Sequence, residues 1–122
     1  MILLNDFYSI TKSESSAGSV KANIMINKGH RIFEGHFPGL PVVPGVCMVQ
    51  IAKEILETSV NKELKLETAD NIKFLSVIDP RQHGEVLATI DYTEANGVYS
   101  ISATLFADQL IFLKLRATLR TA

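Results

Sequence analysis

Apolar and polar positions change period along the chain. Val20, Ala22, Ile24 and Ile26 alternate with Lys21, Asn23 and Asn27, a period of two that predicts a strand with one buried face. Gly29 interrupts it, and His30 to Phe33 reads as a further short extended piece. From Val46 to about Val60 the period becomes helical. At ~100° per residue, Met48, Val49, Ile51, Ala52, Ile55 and Leu56 fall on one broad arc, with Gln50, Lys53, Glu54 and Glu57 opposite. Such a helix is roughly 22 Å long. Pro44 and Gly45 stand at its start, where a missing N–H costs least.

The back half is predicted to be almost wholly β. Ile72 to Val77 is an apolar extended stretch closed by Asp79-Pro80, and Gly84 opens a strand over Glu85 to Thr93. Asn96-Gly97 is a hairpin signal, since both residues tolerate positive φ. Val98 to Ala107 follows, with Tyr99, Ile101, Ala103 and Leu105 on one face, and Asp108-Gln109 offers a second turn. In the last strand Ile111, Leu113, Leu115, Ala117 and Leu119 alternate with Phe112, Lys114, Arg116, Thr118 and Arg120. A meander with one apolar face and one apolar helix to cover it predicts an α+β fold, an antiparallel sheet wrapped around a single long helix. The edges of so small a sheet need covering, which predicts a dimer.

At 122 residues the chain is expected to form one domain, 1–122. Its formal charge of −1 argues against a nucleic-acid partner. No run approaches the ~18 apolar residues of a membrane span, and the first ten residues lack the basic lead of a secretory signal. Cys47 has no second cysteine to pair with, which together with these features predicts a cytoplasmic location.

The chemistry is concentrated in Gly35-His36-Phe37-Pro38-Gly39-Leu40-Pro41-Val42-Val43-Pro44-Gly45-Val46. Three prolines and three glycines within eleven positions, 35 to 45, set an unusual backbone path. A histidine stands at one end and a helix N-terminus at the other. The unspent N–H groups of that terminus favour a developing oxyanion. A base beside an oxyanion stabiliser suits proton removal next to a carbonyl.

The unbroken string His36 to Gly45, His-Phe-Pro-Gly-x-Pro-Val-x-Pro-Gly, resembles the signature of the hotdog-fold 3-hydroxyacyl-[acyl-carrier-protein] dehydratases. The order strand, signature, central helix, meander resembles theirs as well. The resemblance implies a hydro-lyase that reversibly dehydrates a 3-hydroxyacyl thioester to the trans-2-enoyl thioester. It implies His36 as the base and the Gly45 N–H as polariser of the thioester carbonyl. Phe37, Pro38, Gly39, Val42 and Val46 would border the substrate, while Pro38, Gly39, Pro41 and Pro44 shape the path. No cofactor is implied; the substrate arrives on the 4'-phosphopantetheine arm of acyl carrier protein. The acyl chain would run into a tunnel at the interface of a homodimer, often assembled further into a hexamer as a trimer of dimers.

The family's second catalytic group is a carboxylate five residues after that glycine, on the partner protomer's helix. Here the position holds Gln50, in Gln50-Ile51-Ala52-Lys53-Glu54, with amide and acid exchanged relative to the family's frequent Glu-x-x-x-Gln. An amide has no titratable proton to give, but it can hold a hydroxyl or a water. Glu54 lies on the same helix face about 6 Å further along the axis. Three routes for the proton stay open: His36 carries it to the leaving hydroxyl, Glu54 supplies it through water or a shifted helix, or catalysis is weak. The alternative is a non-catalytic acyl-thioester-binding subunit that pairs with a competent dehydratase in a mixed dimer. A thioesterase on the same fold is a third reading.

Each residue also has a plainer reading: His36 as a loop histidine, Gln50 as a polar-face residue, Glu54 as a solvated carboxylate. Cys47 is expected to be a small core or pocket-lining residue. His30 and His83 lack a comparable setting, and Glu34 would share the side of His36 if the segment were extended. Lys114, Arg116 and Arg120 form either a solvated face or a docking strip for an acidic carrier protein. No metal-ligand spacing, phosphate loop or Ser/His/Asp arrangement is recognisable.

Overall fold

The computed structural model describes residues 2–35 and 41–122. Two strands, β1 (Tyr8–Ser16) and β2 (Ser19–Ile26), precede a single turn of helix, α1 (Ile32–Gly35), and the long helix α2 (Gly45–Val60). Four strands follow: β3 (Leu64–Phe74), β4 (Glu85–Ala95), β5 (Val98–Ala107) and β6 (Leu110–Thr121). They form one six-stranded sheet in the order β1-β2-β4-β5-β6-β3, antiparallel throughout. The predicted α+β arrangement is therefore present, with α2 against one face of the sheet.

Helix α2 buries Cys47, Met48, Ile51, Ala52, Ile55 and Leu56. They meet the inward positions of the strands, Val20, Ala22 and Ile24 of β2, Val86, Ala88 and Ile90 of β4, and Tyr99, Ile101, Ala103 and Leu105 of β5. The period-two reading of β5 is thus realised residue for residue. The hairpin between β4 and β5 turns on Asn96 (φ 53°) and Gly97 (φ 80°). Gly97 is demanded twice over, because a Cβ there would also lie 2.7 Å from the Thr121 hydroxyl. Asp108 (φ 53°) turns the next hairpin, and Asn61, left-handed at φ 56°, ends α2 with its N–H on the Glu57 carbonyl.

Four features depart from the sequence reading. β1 lacks an apolar period because it is an edge strand whose residues beyond Ile10 are exposed on both faces; pairing with β2 makes it a strand. His30 to Phe33 is not extended: Phe33 and Glu34 donate back to the carbonyls of His30 and Arg31, opening α1. β3 begins at Leu64, eight residues before the apolar stretch, and ends at Phe74. Phe112, on the polar side of the alternation, is fully buried. Leu105 pairs Leu113 while Phe106 pairs Ile111, so Phe112 is the extra residue of a bulge that turns its ring inward, edge-on to His83 with centroids 5.2 Å apart.

The sheet is wider than one helix can cover. Leu66, Ile72 and Phe74 of β3, with Leu75 and Val77 after it, remain substantially exposed. No described helix is long and apolar enough to cross a membrane.

Candidate functional site at the start of the central helix

Pro44 is the N-cap of α2 at φ −60° and ψ 145°, with no side-chain cap. Its carbonyl takes the N–H groups of Cys47 (3.0 Å) and Met48 (3.2 Å). The N–H groups of Gly45 and Val46 come too early in the helix to have a carbonyl within it. The approach to this terminus is pinned by the Val43 N–H on the Ile78 carbonyl at 2.9 Å, with Val42 and Val43 buried. Val46 is two-thirds exposed. A Cβ at position 45 would lie 2.8 Å from the tip of the half-exposed Phe74 ring, which would have to swing outward to admit a side chain. Phe74 escapes sequence reasoning as a site residue, because only the tertiary fold brings the end of β3 over the first turn of α2.

His36, Phe37, Pro38 and Gly39 lie outside the described residues. Gln50 and Glu54 are joined directly, the Gln50 amide Nε2 donating to Glu54 Oε2 at 2.7 Å. Glu54 is not a solvated carboxylate. It is 5% exposed and also accepts from the Leu3 N–H (2.8 Å, on Oε2), the Leu4 N–H (2.8 Å) and the Tyr8 hydroxyl (3.1 Å), the last two on Oε1. Four donors compensate the cost of burying the charge. Burial, then the charge and hydrogen bond of Glu54, with Glu57 adding to them, hold the Tyr8 phenol well above its ordinary pKa. The chain's first residues are thereby tied to the middle of α2. A helical wheel missed this because the donors lie some fifty residues away.

Gln50 stands between two hollows. One is a small cavity of about 80 Å³ between α2 and the sheet, lined also by Val49, Lys53, Leu66, Ile101, Leu115 and Leu119. The other is an open groove of about 540 Å³ on the far side, reached by Glu54, Glu57, Leu4 and Lys62.

The remaining candidates have structural settings. Cys47 is buried, and burial followed by the charge of Glu54 raises its thiol pKa, the opposite of an activated nucleophile. His30 accepts the Ile32 N–H on Nδ1 (3.0 Å), so Nε2 carries the proton toward Asp6 Oδ2 (3.0 Å). His83 packs against Phe112, and Glu34 is exposed on α1, a helical and not an extended segment. Arg120 is engaged by Glu67 across the β3–β6 pair at 2.6 Å. Among the described residues no three His, Cys, Asp or Glu side chains cluster as metal ligands.

Comparison with known proteins gives this geometry its context. A 3-hydroxyacyl-[acyl-carrier-protein] dehydratase FabZ of Rickettsia bellii is 38% identical over 95 residues, 70% of this chain and 63% of that protein. The FabZ of Rickettsia rickettsii (strain Sheila Smith) is 37% identical over 92 residues, 68% of this chain and 61% of that protein. The chain thus matches a little under two thirds of the length of these relatives. Among solved structures, the dehydratase heterocomplex ApeI:P of Xenorhabdus doucetiae superimposes with a TM-score of 0.73 at 19% identity, covering 91% of this chain and 96% of that one. The fold is the hotdog fold, as the signature implied. The model of the ApeI-like family, described as ApeI dehydratase, matches residues 11–109. The chain belongs to the ApeI-like dehydratase family.

Proposed function

We propose that the protein dehydrates 3-hydroxyacyl groups carried as thioesters on acyl carrier protein. The observation that carries this reading is the uncapped start of α2, where the Gly45 and Val46 N–H groups stand unspent by the helix directly after the signature. The thioester carbonyl docks on the Gly45 N–H, and His36 removes the α-proton. The electron pair of the broken C–H bond forms the double bond, and the C3–O bond breaks. The departing hydroxyl takes a proton and leaves as water. Gln50 holds that hydroxyl by hydrogen bonding, and His36 returns the proton it has taken, since an amide cannot supply one. Both oxygens of Glu54 are already engaged by four donors of this chain, so it takes no part in this scheme.

The test is hydration of a trans-2-enoyl thioester on acyl carrier protein, followed as loss of the conjugated enoyl absorbance. Turnover is expected, and His36→Ala should remove it; a near-normal rate in His36→Ala refutes the assignment of the base.

A second reading is favoured by the same carboxylate. With Glu54 engaged by the chain's first residues, position 50 offers no acid, which suits a binding subunit paired with a competent dehydratase. The Xenorhabdus neighbour is itself a heterocomplex. No turnover by the folded protein alone, with turnover on adding a related chain that carries the helix carboxylate, is the outcome that selects this reading.

A further inference from the structure

We propose that the outer face of the sheet behind Phe74, where Lys73, Lys114 and Arg116 gather, is a docking surface for an acidic protein, and that its occupant is the acyl carrier protein that brings the thioester to Gly45. The inference rests on the acyl-thioester reading above for the identity of that occupant.

Strand pairing assembles the patch. Lys114 of β6 stands opposite Lys73 of β3 on one side and Thr104 of β5 on the other, and Arg116 stands opposite Asn71 and Ser102 in the next outward row. The three cations are exposed and, among the described residues, none of them forms an ion pair. With Asn71, Ser102 and Thr104 they line an open hollow of about 320 Å³ that no carboxylate borders. Asp70 and Asp91 border the adjoining hollow, which shares Arg116, and Asp70 accepts the Thr68 hydroxyl at 3.1 Å. Alternation along β6 alone joins Lys114 and Arg116 to Arg120. The fold removes Arg120, which Glu67 engages, and adds Lys73 from β3.

Like charges directly opposite one another destabilise a strand pair. Lysines on an edge strand deter strand addition, but Lys114 and Arg116 belong to β6, which is paired on both sides. An uncompensated trio there, on a chain of net charge −1, suits a partner that supplies the missing carboxylates.

Position favours the carrier protein as that partner. Successive side chains of a strand point to opposite faces. Phe74 turns inward onto Gly45, so Lys73 beside it turns outward, and Leu113, the pairing partner of Phe74, adjoins Lys114. β3 ends at Phe74. A flexible arm attached to a protein seated on the patch therefore rounds the end of β3 to reach the Gly45 N–H.

The experiment compares hydration of one trans-2-octenoyl group carried as a thioester of acyl carrier protein and as a thioester of free pantetheine. In Lys114→Glu/Arg116→Glu, KM for the carrier-linked substrate should rise about tenfold at low salt, while kcat and the kinetics with the pantetheine thioester stay at wild-type values. The wild-type KM for the carrier-linked substrate should also climb between about 50 and 200 mM salt, and that of the variant should not. Lys12→Glu/Lys21→Glu makes the same change of charge on β1 and β2, at the opposite side of the sheet, and should leave both substrates unaffected. Equal KM values in the wild type and Lys114→Glu/Arg116→Glu, or an equal rise in Lys12→Glu/Lys21→Glu, overturn the proposal.

Direct binding separates its failure from that of the functional reading. Octanoyl carrier protein, titrated calorimetrically, should bind the wild type and should bind Lys114→Glu/Arg116→Glu about tenfold more weakly. That loss, with no hydration of either substrate, upholds the docking surface and sinks dehydration by this chain alone. Absence of carrier binding to the wild type overturns the docking surface, whatever the rate with the pantetheine thioester.

Discussion

Tyr8 illustrates how a single buried side chain acquires a pH signature. Burial foremost, then the charge and hydrogen bond of Glu54 and the charge of Glu57, raise its phenol above the ordinary value. The folded protein therefore keeps a proton that the unfolded chain releases above about pH 10. The associated stability is complete below that pH and is lost as pH rises beyond it. Melting temperature should accordingly fall steeply above about pH 10. Tyr8→Phe should cost about 1–2 kcal/mol at pH 8, through the lost hydrogen bond to a charged group, yet flatten the alkaline fall. Parallel curves for the two proteins between pH 8 and 11.5 would show that Tyr8 does not control the transition.

At the scale of elements, two aromatic rings take positions that their strands' alternation does not predict. The half-exposed Phe74 ring rests its tip on the first turn of α2 at Gly45. Gly45→Val should turn the Phe74 ring outward at a cost of no more than about 1 kcal/mol, and that cost should vanish in a Phe74→Ala background. A double-mutant cycle by urea denaturation checks this, additive effects being the contrary result. Phe112, turned inward by the β6 bulge, is the second. By alternation Phe112→Ala would behave as a surface change within about 0.5 kcal/mol. As a fully buried ring it should cost about 3–5 kcal/mol in the same assay.

For the whole molecule, the governing fact is that one helix leaves part of the sheet uncovered. Leu66, Ile72 and Phe74 of the edge strand β3, with Leu75 and Val77 after it, expose apolar side chains along that edge. We expect the protein to self-associate through this edge, so sedimentation equilibrium at about 10 µM should report a dimer. Ile72→Lys, a half-exposed position beside Lys73 and opposite Leu115, should shift it toward monomer while leaving the far-ultraviolet spectrum unchanged. A monomeric wild type overturns the expectation.

The sequence by itself determined whatever depends on a few neighbouring residues. The inward face of β5 follows from period-two burial, the Asn96-Gly97 turn from tolerance of positive φ, and the start of α2 from Pro44-Gly45, all within reach of local conformational preference. The signature from His36 to Gly45 carried the family for the same reason, although His36 through Gly39 lie outside the described residues. Tertiary structure decided the rest. β1 is a strand because β2 pairs with it, and Phe112 turns inward because a bulge shifts the register. Glu54 reads on the helical wheel as solvated polar surface; it is buried because the backbone of Leu3 and Leu4 and the hydroxyl of Tyr8 arrive from 46 to 51 residues away. The environment of a charge is set by the donors that reach it, and no local period encodes which distant segment will supply them.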